Sequence, residues 1–259
     1  MSYNNLLTEH NGNVLTITLN RPSQLNALNK ELIDELHLAL KGADAAEDVG
    51  VVILTGSGDK AFVAGADIKE FADFDNAQGK ALAADGQEKL FDVVENMSKP
   101  VIAAVNGFAL GGGLELAMSA HIRVASDNAK LGLPETSLGL IPGYGGTQRL
   151  AQLIGKSHAL EMIITAKMIS AEEAKTLGLV NHVTTQEELM ETANKIAGRI
   201  LRNSPIAISA AIRSVNAQFE EGKDGYQAEI DAFGSCFGTK DFVEGTTAFL
   251  EKRKPNFRG

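Results

Sequence analysis

Gly111-Gly112-Gly113-Leu114-Glu115-Leu116-Ala117 decides how this chain is layered, because of what stands before it. Val101-Ile102-Ala103-Ala104-Val105 is a short, wholly apolar run, and Val51-Val52-Ile53-Leu54 is another like it, fifty residues upstream. Such runs read as strands buried on both faces, as in a parallel sheet covered by helices on each side. The triple glycine then allows bare backbone N–H groups to face a ligand at a helix start, with Glu115 in the first turn. Strand, glycine turn and helix together make an α/β unit.

The flanking segments extend this pattern. Val14-Leu15-Thr16-Ile17-Thr18-Leu19 alternates as a strand, and Asn11-Gly12 before it predicts a hairpin with a strand over 6–9. Asn29 is placed to cap a helix carrying Leu32, Ile33, Leu36 and Leu40 on one face. Further strands are expected at 122–125 and 180–183, with helices between them at 147–154, at 157–165 and from 171 on. Ser170 and Glu173 are spaced for a capping box on the last of these, and Gly178 for its end. Residues 71–86, rich in Ala, Asp and Gly, are expected to be the most mobile. Past residue 186 the strands stop. Leu189, Ala193, Ile196 and Ile200, then Ile208, Ile212, Val215 and Phe219, then Tyr226, Ile230, Phe233 and Phe237 mark three amphipathic helices in succession. Helices this short need a surface to pack on, either the core or another subunit.

Composition narrows the function classes. With 44% hydrophobic and 22% charged residues, the 259-residue chain has the make-up of a soluble domain with a substantial core. A net charge of −9 disfavours nucleic acid or an anionic membrane as the main partner, and the one sizeable basic run is Lys252-Arg253-Lys254. A single cysteine, Cys236, excludes an internal disulfide and fits a reducing compartment. Met1-Ser2-Tyr3-Asn4-Asn5 has no signal-peptide character, and no apolar run approaches the ~20 residues of a membrane span. A cytoplasmic location is expected.

Two carboxylates carry the chemical reading. Taken alone, Glu115 reads as a first-turn helix acid, and Glu135, in Leu133-Pro134-Glu135-Thr136-Ser137, as a solvated loop acid. Together, each beside a glycine-rich turn, they can activate a water and deliver a proton to one substrate if their pKa values are pushed apart. Phe62-Val63-Ala64-Gly65-Ala66-Asp67-Ile68-Lys69 offers small residues around Ala66, where a backbone N–H can approach a ligand oxygen; by itself it also reads as a tight turn before a helix. Should the Ala66 and Gly112 N–H groups converge, they would form an oxyanion hole.

Rival motifs fail on spacing. Gly155-Lys156-Ser157 imitates the end of a phosphate-binding loop, but Leu150 stands where its first glycine belongs. The glycines from 107 to 113 do not follow the dinucleotide-binding pattern. The five histidines show no zinc-ligand spacing, so no metal is implied, and there is no serine elbow.

Taken in order, these segments resemble the crotonase, or enoyl-CoA hydratase/isomerase, family over essentially the whole chain. The resemblance rests on Asn20-Arg21-Pro22 with Asn26-Ala27-Leu28, on 62–69, on Lys99-Pro100 through Gly107, and on 111–117. It continues through Pro134-Glu135 and Ile141-Pro142-Gly143-Tyr144-Gly145-Gly146-Thr147, and closes with Phe249 to Phe257. It implies an α/β spiral of β-β-α units over residues 1–200 and a helical trimerisation segment over 201–259, in a homotrimer or a dimer of trimers. Ala66 and Gly112 match the oxyanion-hole positions for an acyl-CoA thioester, and Glu115 and Glu135 the paired acid/base glutamates of the hydratases. Gly143 matches a backbone position beside the catalytic water. Ala64, Asp67, Ile68 and Lys69 match the stretch lining the coenzyme A site, with Arg21, Gln24, Leu25 and Ala27 near pantetheine and nucleotide. Lys252 matches a CoA-phosphate contact, reaching from a neighbouring subunit, and Phe249 a position beside the acyl path.

The expected activity is therefore that of a hydro-lyase, hydration of a trans-2-enoyl-CoA, with no cofactor beyond the substrate's own coenzyme A. One departure is Leu133, where many hydratases carry glutamine. Two alternatives stand beside this reading: a Δ3,Δ2-enoyl-CoA isomerase or other lyase of the family, and a non-catalytic RNA-binding member. Both glutamates favour hydration, and the negative charge disfavours RNA.

Overall fold

Strand pairing sets the architecture. The computed structural model, which describes residues 3–258, places ten strands in two sheets. β1 (Leu6–Asn11) and β2 (Val14–Leu19) form the antiparallel hairpin, with Gly12 at φ +57° in its two-residue turn. α1 (Lys30–Ala45) follows, capped as expected by Asn29, whose side chain accepts from Leu32 N at 3.0 Å. Then come β3 (Val51–Gly56), β4 (Ala61–Ala64), α2 (Asn76–Gly86), a π-helical turn at Gln87–Phe91, and α3 (Asp92–Glu95).

The unit then recurs twice, as β5 (Val101–Val105), β6 (Phe108–Leu110) and α4 (Gly112–Ser119), and as β7 (Ile122–Ser126), β8 (Lys130–Gly132), α5 (Gly146–Ile154) and α6 (Lys156–Thr165). β3, β5 and β7 pair in parallel in one sheet, and β4, β6 and β8 in the other. Each β-β-α unit thus adds one strand to each sheet, which is a spiral. β9 (Met168–Ser170) closes the smaller sheet antiparallel to β8, and after α7 (Ala171–Thr176) β10 (His182–Thr184) joins the larger one beside β7. α8 (Leu189–Ile200), α9 (Pro205–Ala217), α10 (Gly225–Cys236) and α11 (Lys240–Leu250) complete the described residues.

The apolar runs are explained by two-sided burial. Val52, Leu54, Ala103 and Val105 face the main core, while Val51, Ile53, Ile102 and Ala104 face α8 through Leu189, Ala193 and Ala197. α8 therefore belongs to the sheet's cover. The helices after it leave Phe219, Tyr226, Ile230, Phe233, Phe237 and Phe249 exposed. Among the described residues no helix is long and apolar enough to cross a membrane.

Two local readings change, and residues 71–86 prove to carry a helix. The strand expected at 180–183 begins only at His182, because Leu179 N and Val180 N are drawn back to Ala174 O at the end of α7. Residues 71–86 are largely helical: Asp75 and Gln78 form a capping box at the start of α2, which buries only Gly86 and so carries little apolar period. A fourth C-terminal helix, α11, is capped by Thr239, whose hydroxyl accepts from Phe242 N at 3.1 Å.

α4 is buried along its whole length. Its approach to β4 requires glycine: a Cβ on Gly113 would lie 1.9 Å from Val63 O. Arg123, buried without a carboxylate partner, donates from Nη1 to the carbonyl of Ala120 and from Nε to Leu179 O at 2.8 Å. A cation at the C-terminal end of α4 suits the helix dipole.

Candidate active site

Glu115 lies in the first turn of α4 and is 1% exposed. Its Oε1 accepts from Tyr144 N and from Gly146 N, both at 2.8 Å, while Oε2 accepts from no described protein group. A Cβ on Gly146 would stand 2.7 Å from that Oε1, so only glycine admits the carboxylate there. Burial, with the nearby Glu135 charge adding to it, outweighs the two N–H bonds and the Arg149 charge and pushes the Glu115 pKa up to about 7.

This shift has a stability consequence. Between about pH 4.5 and about pH 7 the folded protein keeps a proton that the unfolded chain has already lost, so stability falls as pH rises through that window. Glu115→Gln removes the buried charge and is expected to melt above wild type at about pH 8. The pH-dependent part of that gain should vanish below about pH 4.5; melts followed by circular dichroism check it, and a pH-independent difference would contradict it.

Glu135 opens a 3-10 turn (Glu135–Leu138) after β8. Its Oε2 is buried without a protein partner, and burial raises its pKa. Its Oε1 would be 2.7 Å from a Cβ on Gly111, which also takes φ +50°. Glycine is needed there for conformation and for space. An unpartnered buried carboxyl oxygen has an unmet need for a hydrogen-bond partner such as water or substrate.

Two backbone amides lie on adjoining segments. β4 pairs with β6 as far as Ala64↔Leu110, and just beyond it a Cβ on Gly111 would lie 3.8 Å from Gly65 Cα, one residue before Gly112 and Ala66 respectively. The short bridge Leu28↔Ala66 uses the N–H groups of Leu28, donating to Gly65 O at 2.9 Å, and of Asp67, donating to Leu28 O at 2.7 Å. Ala66 N–H therefore points to the other side. Gly112 N–H is in the first turn of α4, where the helix supplies no acceptor.

A cavity of about 330 Å³ runs past Ala66, lined by Leu28, Ile33, Phe71, Phe74, Leu82 and Tyr144. The Tyr144 ring closes one wall, stacked on Phe91 at 4.7 Å and 15°. Gly86 makes room for it: a Cβ there would meet Tyr144 Cε1 at 2.3 Å. The cavity is thus lined by Ala66 and by Tyr144, whose N–H holds Glu115, while a Cβ on Gly112 would lie 3.2 Å from the lining side chain of Leu28. An apolar space next to open amides and a carboxyl group of raised pKa suits proton transfer next to a carbonyl.

The model of the enoyl-CoA hydratase/isomerase family matches residues 9–259. The chain belongs to that family. It is 47% identical to a short-chain-enoyl-CoA hydratase of Clostridium acetobutylicum, over 98% of this chain and 97% of that protein. It is also 47% identical to a crotonyl-CoA hydratase of Syntrophomonas wolfei, over 99% of each. The crystal structure of an enoyl-CoA hydratase from Bacillus anthracis superposes with a TM-score of 0.92 at 43% identity, covering 98% of this chain and 99% of that one. The spiral expected from the resemblance is the fold observed.

The remaining family positions fall in two places. Arg21, Gln24, Leu25, Ala27, Ala64, Asp67, Ile68 and Lys69 form one patch beside the cavity: Arg21 donates to Ala27 O and pairs with Asp67 at 3.3 Å, and Ala64 N donates to Leu25 O at 3.0 Å. Phe249 and Lys252 lie at the end of α11, which packs on α9, and Phe249 is 84% exposed. Gly143 accepts through its carbonyl from Gln87 Nε2 at 2.9 Å. Leu133 is fully buried in the main core. Sequence reasoning missed Tyr144, Phe91, Gln87 and Arg149; the glycines at 143, 145 and 146 were the available signal for the loop, but nothing marked what holds it.

Proposed function

We propose that the protein adds water across the C2=C3 bond of a short-chain trans-2-enoyl-CoA to give the (3S)-3-hydroxyacyl-CoA. The observation that supports this reading is the presence of two carboxyl groups of raised pKa, Glu115 in the first turn of α4 beside Gly112 and Glu135 against Gly111, on segments adjoining Ala66. Water adds poorly to an isolated alkene. In a conjugated thioester the developing charge passes to the carbonyl oxygen, where the two fixed donors are each worth ~3 kcal/mol of barrier. Glu115, its Oε1 tied to the loop amides, uses Oε2 to take a proton from the water attacking C3. Glu135 delivers the proton to C2. Carboxyl groups on one face of the substrate give syn addition, and the steps run backwards as a dehydration.

The thioester is the electron sink, so the reaction needs no further cofactor. The patch from Arg21 to Lys69 lines the coenzyme A side, and Gly143 lies beside the water. The exposed apolar faces of α9 to α11 support a homotrimer or dimer of trimers, in which a neighbour's Phe249 and Lys252 complete the coenzyme site. A lone half-buried cysteine and the negative charge fit a cytoplasmic enzyme, and the reaction belongs to fatty-acid β-oxidation or a related acyl-CoA pathway.

Addition of the protein to crotonyl-CoA is expected to lower the conjugated-thioester absorbance to an equilibrium level without metal or nicotinamide. A stable absorbance, with conversion of a 3-enoyl-CoA instead, would move the reading to an isomerase. Tight RNA binding that survives moderate salt in a gel shift would support the binding-protein alternative.

A further inference from the structure

The loop 142–146 has two sides. Inward, the N–H groups of Tyr144 and Gly146 hold Glu115 Oε1. Outward, Arg149 Nη1 donates to Tyr144 O and Gln87 Nε2 donates to Gly143 O, both at 2.9 Å. Arg149 is 7% exposed and is itself held by Asp92 Oδ1 at 3.0 Å and by Glu95 Oε2 at 2.5 and 3.1 Å. Its guanidinium presses on Gly145, where a Cβ would lie 2.2 Å from Nη1. Gln87 opens the π-helical turn, a local widening that often marks functional positions.

We propose that Arg149 and Gln87 are positioning residues for Glu115, clamping the loop from behind so that its amides keep one carboxylate oxygen bound and leave the other to carry the proton. Neither side chain touches Glu115. Each acts through a peptide group whose carbonyl it holds and whose neighbouring N–H reaches the carboxylate. The charged and titratable groups around Glu115 are Glu135 from the turn after β8, Arg149 from α5, and the Tyr144 hydroxyl, with Asp92 and Glu95 behind Arg149. Loosening the clamp lengthens the two N–H bonds and weakens the Arg149 field, and both changes favour protonated Glu115. The acid limb of the pH–rate profile then moves to higher pH.

The test uses the full-length protein and two readouts. With crotonyl-CoA, Arg149→Met is expected to lower kcat by about 10²-fold with little change in KM, the effect of a misplaced catalytic group. Arg149→Lys keeps the charge but loses the planar fork, and should fall between Met and wild type. Gln87→Leu should lower kcat by about tenfold, because only one of the two holds is lost. The kinetic arm rests on the hydratase reading. The second arm does not: infrared difference titration, referenced to Glu115→Gln, follows the Glu115 carboxyl directly and should show its midpoint moving up in each clamp variant. If Arg149→Met does not fold, Gln87→Leu, which leaves every charge in place and removes the other hold on the loop, is expected to shift the midpoint the same way. A folded Arg149→Met or Gln87→Leu with an unmoved Glu115 midpoint overturns the proposal, whatever its melting temperature. Shifted midpoints in a protein inert toward crotonyl-CoA would keep the clamp and reject the hydratase reading.

Discussion

Glu115→Gln and Glu135→Gln each lower kcat for crotonyl-CoA hydration by about 10²–10⁴-fold while ligand binding stays within a few-fold. Glutamine at 115 still offers an oxygen to Tyr144 N and Gly146 N, so the loop keeps its place. What disappears is a group that can take a proton from water near neutral pH, for which the Glu115 pKa of about 7 is well matched. At 135 the loss is of the acid at C2, and the buried Oε2 becomes an amide or carbonyl atom with no proton to give. Stopped-flow rates with calorimetric binding of a non-reactive acyl-CoA separate the two effects. Full activity in either single variant would falsify the two-carboxylate mechanism.

Gly113→Ala is expected to cost about 3 kcal/mol of stability or more, at the upper end of overpacking effects. At ~2–4 °C per kcal/mol for a chain of this size, that is a fall in Tm of roughly 6–12 °C. The new methyl would sit 1.9 Å from Val63 O and 2.8 Å from Val63 Cβ, and neither a strand carbonyl nor a buried β-branched side chain can swing aside. α4 must move away from β4. That motion carries Gly112 N–H from Ala66 N–H and Glu115 from its loop, so activity should fall well beyond what the folded fraction explains. Gly42→Ala is the control: its methyl meets nothing within 4 Å on an exposed turn of α1, and it should gain ~0.5–1 kcal/mol. Equal melting temperatures for Gly113→Ala and wild type would refute the close approach of helix and strand.

Much of the larger sheet was legible in the chain. Val51, Val52, Ile53 and Leu54 of β3 and all of Val101–Val105 are apolar where both sheet faces bury them, and the caps at Asn29 and Ser170 act locally. The smaller sheet was not legible, because β6, β8 and β9 are three residues each, too short to show a period. α2 escaped for a different reason: it buries only Gly86, so it has capping residues but no apolar stripe.

The candidate site divides in the same way. Glu115, Glu135, Ala66 and Gly112 stand out in the sequence because glycines and small residues beside an acid are a local pattern. Arg149 and Gln87 have no such signal; each takes its meaning from a carbonyl at the catalytic loop, and Gln87 meets its partner across 56 positions of chain. The sequence alone pointed to the family, to the buried strands of the larger sheet and to the candidate acid/base and amide positions, since these depend on residue type and short-range spacing. Only the tertiary structure decided that Glu115 is desolvated to a pKa of about 7, that one of its oxygens is bound and the other open, and which side chains hold that geometry. Desolvation and hydrogen bonding depend on atoms brought together from α3, α4, α5 and the π-helical turn, and no stretch of the chain by itself contains them.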